Sequence, residues 1–203
     1  MSDRWIPLEL EDCDPDPFVQ FVCWFDEARG EMAEREAISL VTSTRDARPS
    51  ARMVLLRHVA DSTFGWFTNY DSRKAHELDA NPHAALLWYC EPLGRQVRIE
   101  GTVARMGASR SDAYFNARPR GHQLGAYASD QSREIESRAA LEARTATAEA
   151  RFAGQSVPRP EYWGGYELTP ETYEFWQHRH DRLHDRIGYT RDGSGWQRRR
   201  YAP

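Results

Sequence analysis

The chain has 203 residues with 27 basic against 31 acidic side chains, a net charge of −4, which argues against broad binding to nucleic acid or membrane surfaces. A composition 40% hydrophobic and 12% aromatic can pack one domain, and no apolar run nears the roughly 18 residues of a membrane span. Cys13, Cys23 and Cys90, without C-x-x-C spacing, suit a reducing compartment, and a start lacking a basic-plus-apolar leader points to the cytoplasm.

In chain order, residues 1–15 are polar and interrupted by proline, which predicts a loose arm ahead of a single domain over 16–203. Asp16-Pro17 is a helix start, and Phe18, Phe21, Val22 and Phe25 then recur at helical spacing. Ile38 to Thr44, Ala51 to His58 and Thr63 to Asn69 read as an antiparallel meander, with a turn over Arg45 to Pro49. Asp71 or Ser72 is placed to cap a short helix that ends before Asn81-Pro82. Arg73 and Lys74 fall in its first turn, where the helix dipole disfavours cations, so the position asks for an anion. His83 to Tyr89 and Arg95 to Met106 are two further strands, with Gln96 and Arg98 on one face of the second.

Ser109 and Asp112 resemble a capping box that opens a helix closed by Pro119, on which Tyr114 and Arg118 face the same way. A polar, alanine-rich helix is predicted from about Arg133 to Phe152, stopped by Gly154, with a linker over Pro158 to Pro160. Tyr166 to Leu168, Thr172 to His180, Leu183 to Arg191 and Trp196 to Tyr201 complete the strands, with a hairpin turn over Asp192 to Gly195. The expected class is mainly β with flanking helices (α+β), in a closed, barrel-like antiparallel sheet.

The densest chemistry runs from Phe175 to Arg186, F-W-Q-H-R-H-D-R-L-H-D-R. If extended, it sets Trp176, His178, His180, Arg182, His184 and Arg186 on one side, against Phe175, Leu183 and Ile187. Such a face suits a flat, anionic ligand, because arginine forks grip phosphate or carboxylate and tryptophan offers a stacking surface. A solvated edge strand is the plain alternative. A metal site is disfavoured, since the three histidines lack an acidic or cysteine partner and sit among arginines. Motifs for dinucleotide-binding, NTPase and α/β-hydrolase folds are missing from the sequence.

Eight collinear segments carry a resemblance: Arg52 to Leu56 (R-M-V-L-L), Phe67 to Lys74 (F-T-N-Y-D-S-R-K), Arg95 to Arg98, Tyr114 to Pro119, Gln131-Ser132, Trp163 to Tyr166 (W-G-G-Y), Glu174 to Gln177 (E-F-W-Q) and Arg182 to Arg186 (R-L-H-D-R). With the terminal Arg200-Tyr201-Ala202-Pro203, the sequence resembles the pyridoxamine 5′-phosphate oxidases across residues 16–203. The resemblance implies an FMN-binding split β-barrel, with the flavin at a homodimer interface. By motif position, Arg52, Met53, Val54, Leu55, Leu56, Arg57, Phe67, Thr68, Arg73, Lys74, Gln96, Gln131, Ser132, Trp176 and Arg186 would hold FMN. Arg57, Tyr114, Arg118 and His122 would take a phosphorylated B6 vitamer, with Arg182 and His184 over its ring as catalytic residues. The implied reaction oxidises pyridoxamine or pyridoxine 5′-phosphate to pyridoxal 5′-phosphate, with O2 as acceptor and H2O2 as product.

Three departures concern the substrate side. Arg57 stands where the family usually has lysine, His122 where it has serine, and no R-x-E-Y segment is present in the short arm. A relative of the phenazine-pathway oxidases, acting on a fused-ring precursor, and a non-catalytic flavin or pyridoxal-phosphate binder are the alternatives.

Overall fold

The computed structural model describes residues 6–203. Helix α1 (Pro17–Glu27) starts as its sequence predicts: Asp16 accepts the Phe18 N–H at 2.9 Å, with Pro17 at the first helical position. It buries Phe21, Trp24 and Phe25 against one curled antiparallel sheet. The strands are β1 (Ala37–Ser43), β2 (Pro49–Leu55), β3 (His58–Ala60), β4 (Thr63–Asn69), β5 (His83–Cys90), β6 (Arg95–Arg105), β7 (Trp163–Gln177), β8 (Asp185–Asp192) and β9 (Gly195–Arg200). They lie in the order β2-β1-β5-β6-β7-β4-β3, with β8 and β9 branching off β7. The two ends of that path, β2 and β3, are successive in the chain, so the sheet curls back on itself. The Arg57 N–H, between them, donates to the Gly65 carbonyl on β4 at 2.8 Å.

The barrel interior is aromatic, with the Phe21 ring 4.9 Å from Phe64 and Trp24 5.2 Å from Phe175. Such edge-to-face pairs add roughly 0.5–1.5 kcal/mol each beyond the area they bury. Helix α2 (Arg73–Ala80) follows β4, while α3 (Ala108–Ala117), α4 (Arg120–Ala128) and α5 (Arg138–Arg151) lie between β6 and β7. A second, smaller cluster of Phe115, Leu124, Phe152 and Trp163 packs beneath these last three helices.

Several local expectations are corrected. The strand expected over Ala51 to His58 is interrupted, and its end belongs to β3. The two strands expected within 166–180 are one 15-residue strand, β7. Pro170 is tolerated in it because the register with β6 shifts between Glu100 and Gly101. The capping box does not form. Gly107 is the N-cap of α3, Asp112 pairs with Arg159 at 2.6 Å, and the neighbouring Ser111 accepts the Gly165 N–H at 3.1 Å. Ser72 occupies the N-cap position of α2, but its hydroxyl accepts from the Lys74 ammonium at 3.1 Å instead of capping. The long helix begins only at Arg138, after Ser137 caps it through the Ala140 N–H, and α4 was not anticipated.

The expected loose arm is held wherever it is described, and residues 1–5 lie outside the described residues. Asp185 accepts the Leu8 N–H at 3.1 Å, Arg198 donates to the carbonyls of Leu10 and Cys13, and the Tyr189 hydroxyl donates to that of Asp14.

The segment from Phe175 to Arg186 is not one extended face. β7 ends at Gln177 and the chain turns through a 3-10 turn at His180–Arg182, with Asp181 and Arg182 both in the left-handed region at φ 55° and 61°. Phe175 and Ile187 are buried as expected, whereas Leu183 on the turn is 68% exposed.

Candidate active site

Two groups of polar side chains stand out, one at each end of β7. At its start, a pocket of about 260 Å³ is lined by Met53, Val54, Leu55 and Arg57 from β2 and the residues after it, Phe67 and Thr68 from β4, and Lys74 from α2. Tyr114, Arg118, His122, Gln131 and Trp163 complete the lining. Its walls are aromatic: Phe67 stacks on Tyr114 with centroids 3.9 Å apart at 7°, and Trp163 lies parallel to both. Gly165 pairs with Phe67 across β4 and β7, and a Cβ there would come within 2.9 Å of the Phe67 ring. The W-G-G-Y glycine is therefore a close approach of backbone to ring.

The cations of this end are only partly satisfied. Arg118 lies over the Trp163 ring, 4.6 Å from its centroid, and its buried Nη1 has no hydrogen-bond partner among the described residues. Burial pushes its guanidinium below the usual arginine range. Lys74 is buried and donates to Thr68 at 3.0 Å, Ser72 at 3.1 Å and Gln131 at 2.6 Å, all neutral acceptors. Burial, then repulsion from Arg52, brings Lys74 down to about 8. Thr68 also donates to Gln131 at 2.8 Å, so Thr68, Lys74 and the sequence-distant Gln131 form one polar knot.

Arg52 and Arg73 answer to a carboxylate that the sequence reading did not single out. Buried Glu77 accepts from Thr42, Ser50, Arg52 at 3.2 Å and Arg73 at 2.9 Å. Burial works against its ionisation, but these donors outweigh it and hold the Glu77 carboxyl at about 2. The anion expected at the start of α2 is thus supplied within the helix, at the i+4 position from Arg73. Ser132, at φ 72°, lines an adjoining hollow with Arg73 and Glu77.

The second group lies at the far end of β7. In a row across β5 to β8, Tyr89 pairs with Gln96, Gln96 with Trp176, and Trp176 with Arg186. Buried Glu174 accepts a fork from Arg186 at 3.0 and 2.9 Å and a further bond from Arg98 at 2.8 Å. That hydrogen-bonded pairing raises the Arg186 guanidinium above its usual range. His184 packs over Trp176 at 4.5 Å and accepts the Arg179 N–H through Nδ1 at 3.1 Å. Arg182 sits exposed on the turn before it.

The structure therefore gathers Arg57, Phe67, Thr68, Lys74, Tyr114, Arg118, His122 and Gln131 at one end, and Gln96, Trp176, His184 and Arg186 at the other. Sequence reasoning missed Glu77, the stacked wall of Trp163, and Glu174. Glu77 was readable from its spacing to Arg73, and the other two stand inside quoted segments without an assigned role.

Residues 25–152 match the family described as pyridoxamine 5′-phosphate oxidase. A pyridoxine/pyridoxamine 5′-phosphate oxidase of Rubrobacter xylanophilus is 54% identical, over 97% of this chain and 91% of its own. The chain belongs to the pyridoxamine 5′-phosphate oxidase family.

Residues 163–203 match that family's pyridoxine 5′-phosphate oxidase C-terminal dimerisation region, which supports a homodimer. A Burkholderia vietnamiensis relative of the same name is 51% identical over 97% of this chain and 93% of its own. PhzG from Burkholderia lata 383, solved with tetrahydrophenazine-1-carboxylic acid, superposes with a TM-score of 0.91 at 32% identity, covering 98% of this chain and all of PhzG. A related FMN-binding protein from Nostoc punctiforme shares the fold, with a TM-score of 0.74 at 16% identity over 94% of this chain and 100% of its own. The family reading and the barrel expected from the sequence agree with these findings. The chain is an oxidoreductase of a family whose members point to a flavin cofactor. No helix among the described residues is long and apolar enough to cross a membrane.

Proposed function

We propose that this protein is a cytoplasmic, FMN-dependent oxidase that converts pyridoxamine or pyridoxine 5′-phosphate to pyridoxal 5′-phosphate, with O2 as acceptor and H2O2 as product. The observation that carries this reading is Arg118. A half-buried guanidinium whose buried Nη1 has no partner among the described residues, 4.6 Å over the Trp163 ring and beside Tyr114 and His122, is an incomplete site without an anion. A substrate phosphate supplies that anion, and the stacked Phe67, Tyr114 and Trp163 rings supply a flat wall beside it.

FMN fits the polar groups around it. Lys74, with only neutral acceptors, would take the flavin phosphate together with Arg52, Arg73 and Ser132, while Thr68 and Gln131 would serve its polar edges. Bound there, FMN would supply the hydride acceptor for oxidation at the substrate's 4′ carbon, with O2 as the final electron acceptor. Arg57 and His122 line the substrate side, and Arg182 and His184 orient and polarise the substrate ring without acting as nucleophiles.

The two ends of β7 cannot serve one cofactor within a single chain. Trp176 lies eleven residues beyond Gly165, roughly 35 Å along a straight strand. The exposed apolar residues Met53, Leu55, Leu87 and Tyr89 lie on the sheet face that also carries Gln96 and Trp176. Burying that face against a second copy brings Gln96, Trp176, Arg182, His184 and Arg186 of the partner subunit to the pocket at the start of β7, with FMN between them.

Truncating Arg118 to Ala should weaken phosphorylated substrate strongly and a phosphate-free analogue little; equal loss for both would sink the phosphate seat. An anaerobic titration of the FMN-loaded protein with pyridoxamine 5′-phosphate should bleach the oxidised flavin, and air should restore it with pyridoxal phosphate formed. Tight FMN binding without bleaching favours the second reading, a fused-ring substrate. The PhzG superposition and the altered Arg57 and His122 positions support that reading, although the B6 oxidases are much closer in sequence.

A further inference from the structure

The turn after β7 brings two histidines together. His178 follows the last residue of β7, its N–H bonded to the Gly94 carbonyl at 2.8 Å, so its backbone is fixed to the barrel rim. The left-handed pair Asp181 and Arg182 then reverses the chain and returns His184 over the same tryptophan. The ring centroids of His178 and His184 are 5.1 Å apart, and those of Trp176 and His178 are 5.9 Å apart. Three rings therefore pack as one group, with His184 innermost on Trp176.

One hydrogen bond decides the protonation pattern of His184. Its Nδ1 accepts the Arg179 N–H at 3.1 Å, and a ring nitrogen that accepts a hydrogen bond carries no proton. The neutral ring then bears its proton on Nε2, at the other edge of the imidazole.

The charged groups that face His184 come from three elements. His178 directly follows β7, Arg182 stands on the turn, and Asp185 opens β8. The first two oppose a positive charge on His184, and Asp185 favours it. Asp185 is already engaged: Arg200 donates to one oxygen at 2.8 Å, and the Leu8 N–H to the other at 3.1 Å. Its pull on His184 is correspondingly divided. Burial first, then His178 and Arg182, push His184 below the ordinary histidine range.

We propose that His178, together with the Arg179 backbone N–H, is a positioning residue that keeps His184 a neutral imidazole with its proton on Nε2, available as a hydrogen-bond donor to the substrate. The last clause rests on the proposed function, because it takes the acceptor to be an atom of the bound substrate. The tautomer and the role of His178 stand on the turn geometry alone. A neutral donor suits the place. It polarises an acceptor atom while Arg182 next to it provides the permanent charge, so the pair divides orientation and electrostatics between them.

The test is a set of nitrogen-detected NMR spectra of the histidine rings in the FMN-loaded protein, with His184 assigned by its loss in His184→Gln. In the unsubstituted protein His184 should show the Nε2–H form and titrate below a free histidine. In His178→Ala its midpoint should rise, because the imidazole that opposes its charge and part of the ring's cover are removed together. In His178→Phe, which keeps a ring against Trp176 and removes the titratable imidazole, the midpoint should also rise. A proton on Nδ1, or a midpoint unmoved in both variants, overturns the proposal. The pH profile of kcat/KM separates the two layers. An acid limb that moves up with the His184 midpoint supports the substrate contact. A profile that stays fixed while the midpoint moves keeps the positioning role and overturns the contact.

Discussion

Lys74 and Glu77 stand three residues apart on α2 and carry opposite stability consequences. Lys74 is held at about 8, below its ordinary 10.5, so the unfolded chain binds more protons between those values and stability rises with pH across that window. Below about 8 the buried ammonium costs the fold on the order of 3 kcal/mol. Lys74→Met should raise the urea midpoint of the flavin-free protein at pH 7 while weakening FMN binding. A lowered midpoint would show that the ammonium is satisfied without an anion. Glu77 behaves the other way. Its carboxyl is depressed from 4.5 to about 2, so its contribution is complete above pH 4.5 and is lost as pH falls towards 2. Glu77→Gln takes the carboxylate from the half-buried Arg52 and should cost roughly 3 kcal/mol at pH 7 in denaturant titrations, with less loss at low pH.

Among the elements, β7 ties barrel to site, and its bulge depends on a missing side chain. A Cβ on Gly101 would sit 2.1 Å from the Thr169 carbonyl, so Gly101→Ala should force β6 and β7 apart and lower Tm by several degrees. A milder change is Asp16→Ala, which removes the cap of α1 and should cost about 1 kcal/mol in urea unfolding with flavin affinity unchanged. These elements also mark what a linear reading reaches. The α1 cap, the strand alternation of β5 and the hairpin between β8 and β9 are local chemistry and were legible. The capping box failed because Asp112 had a tertiary partner in Arg159, 47 residues away, which no local pattern reveals. The reversal at Asp181 and Arg182 was illegible for a related reason: neither residue type announces a positive φ, and the run kept its alternation of types through the turn. At the candidate site, the knot of Thr68, Lys74 and Gln131 was suggested by motif resemblance and not by spacing, since only the folded barrel makes neighbours of them.

For the whole molecule, the proposed site rests on a second copy covering the exposed face with Leu87 and Tyr89. Leu87→Asp puts a charge in the middle of the surface that pairing must bury. It should yield monomers by sedimentation and lose bound flavin in the same sample; monomers that retain flavin would refute a cofactor held between subunits. β7 has a further consequence. On the proposed function, one strand would carry a different part of the chemistry at each end, and each chain would donate one half to each of two sites. Subunits with Arg118→Ala and subunits with His184→Ala should each be poor catalysts alone. Unfolded together and renatured as a mixture, they form hybrids in which both lesions fall in the same site and the other site is whole. Activity should therefore reappear on mixing two defective proteins, up to about a quarter of the normal level, as random pairing makes half the dimers hybrid with one intact site each.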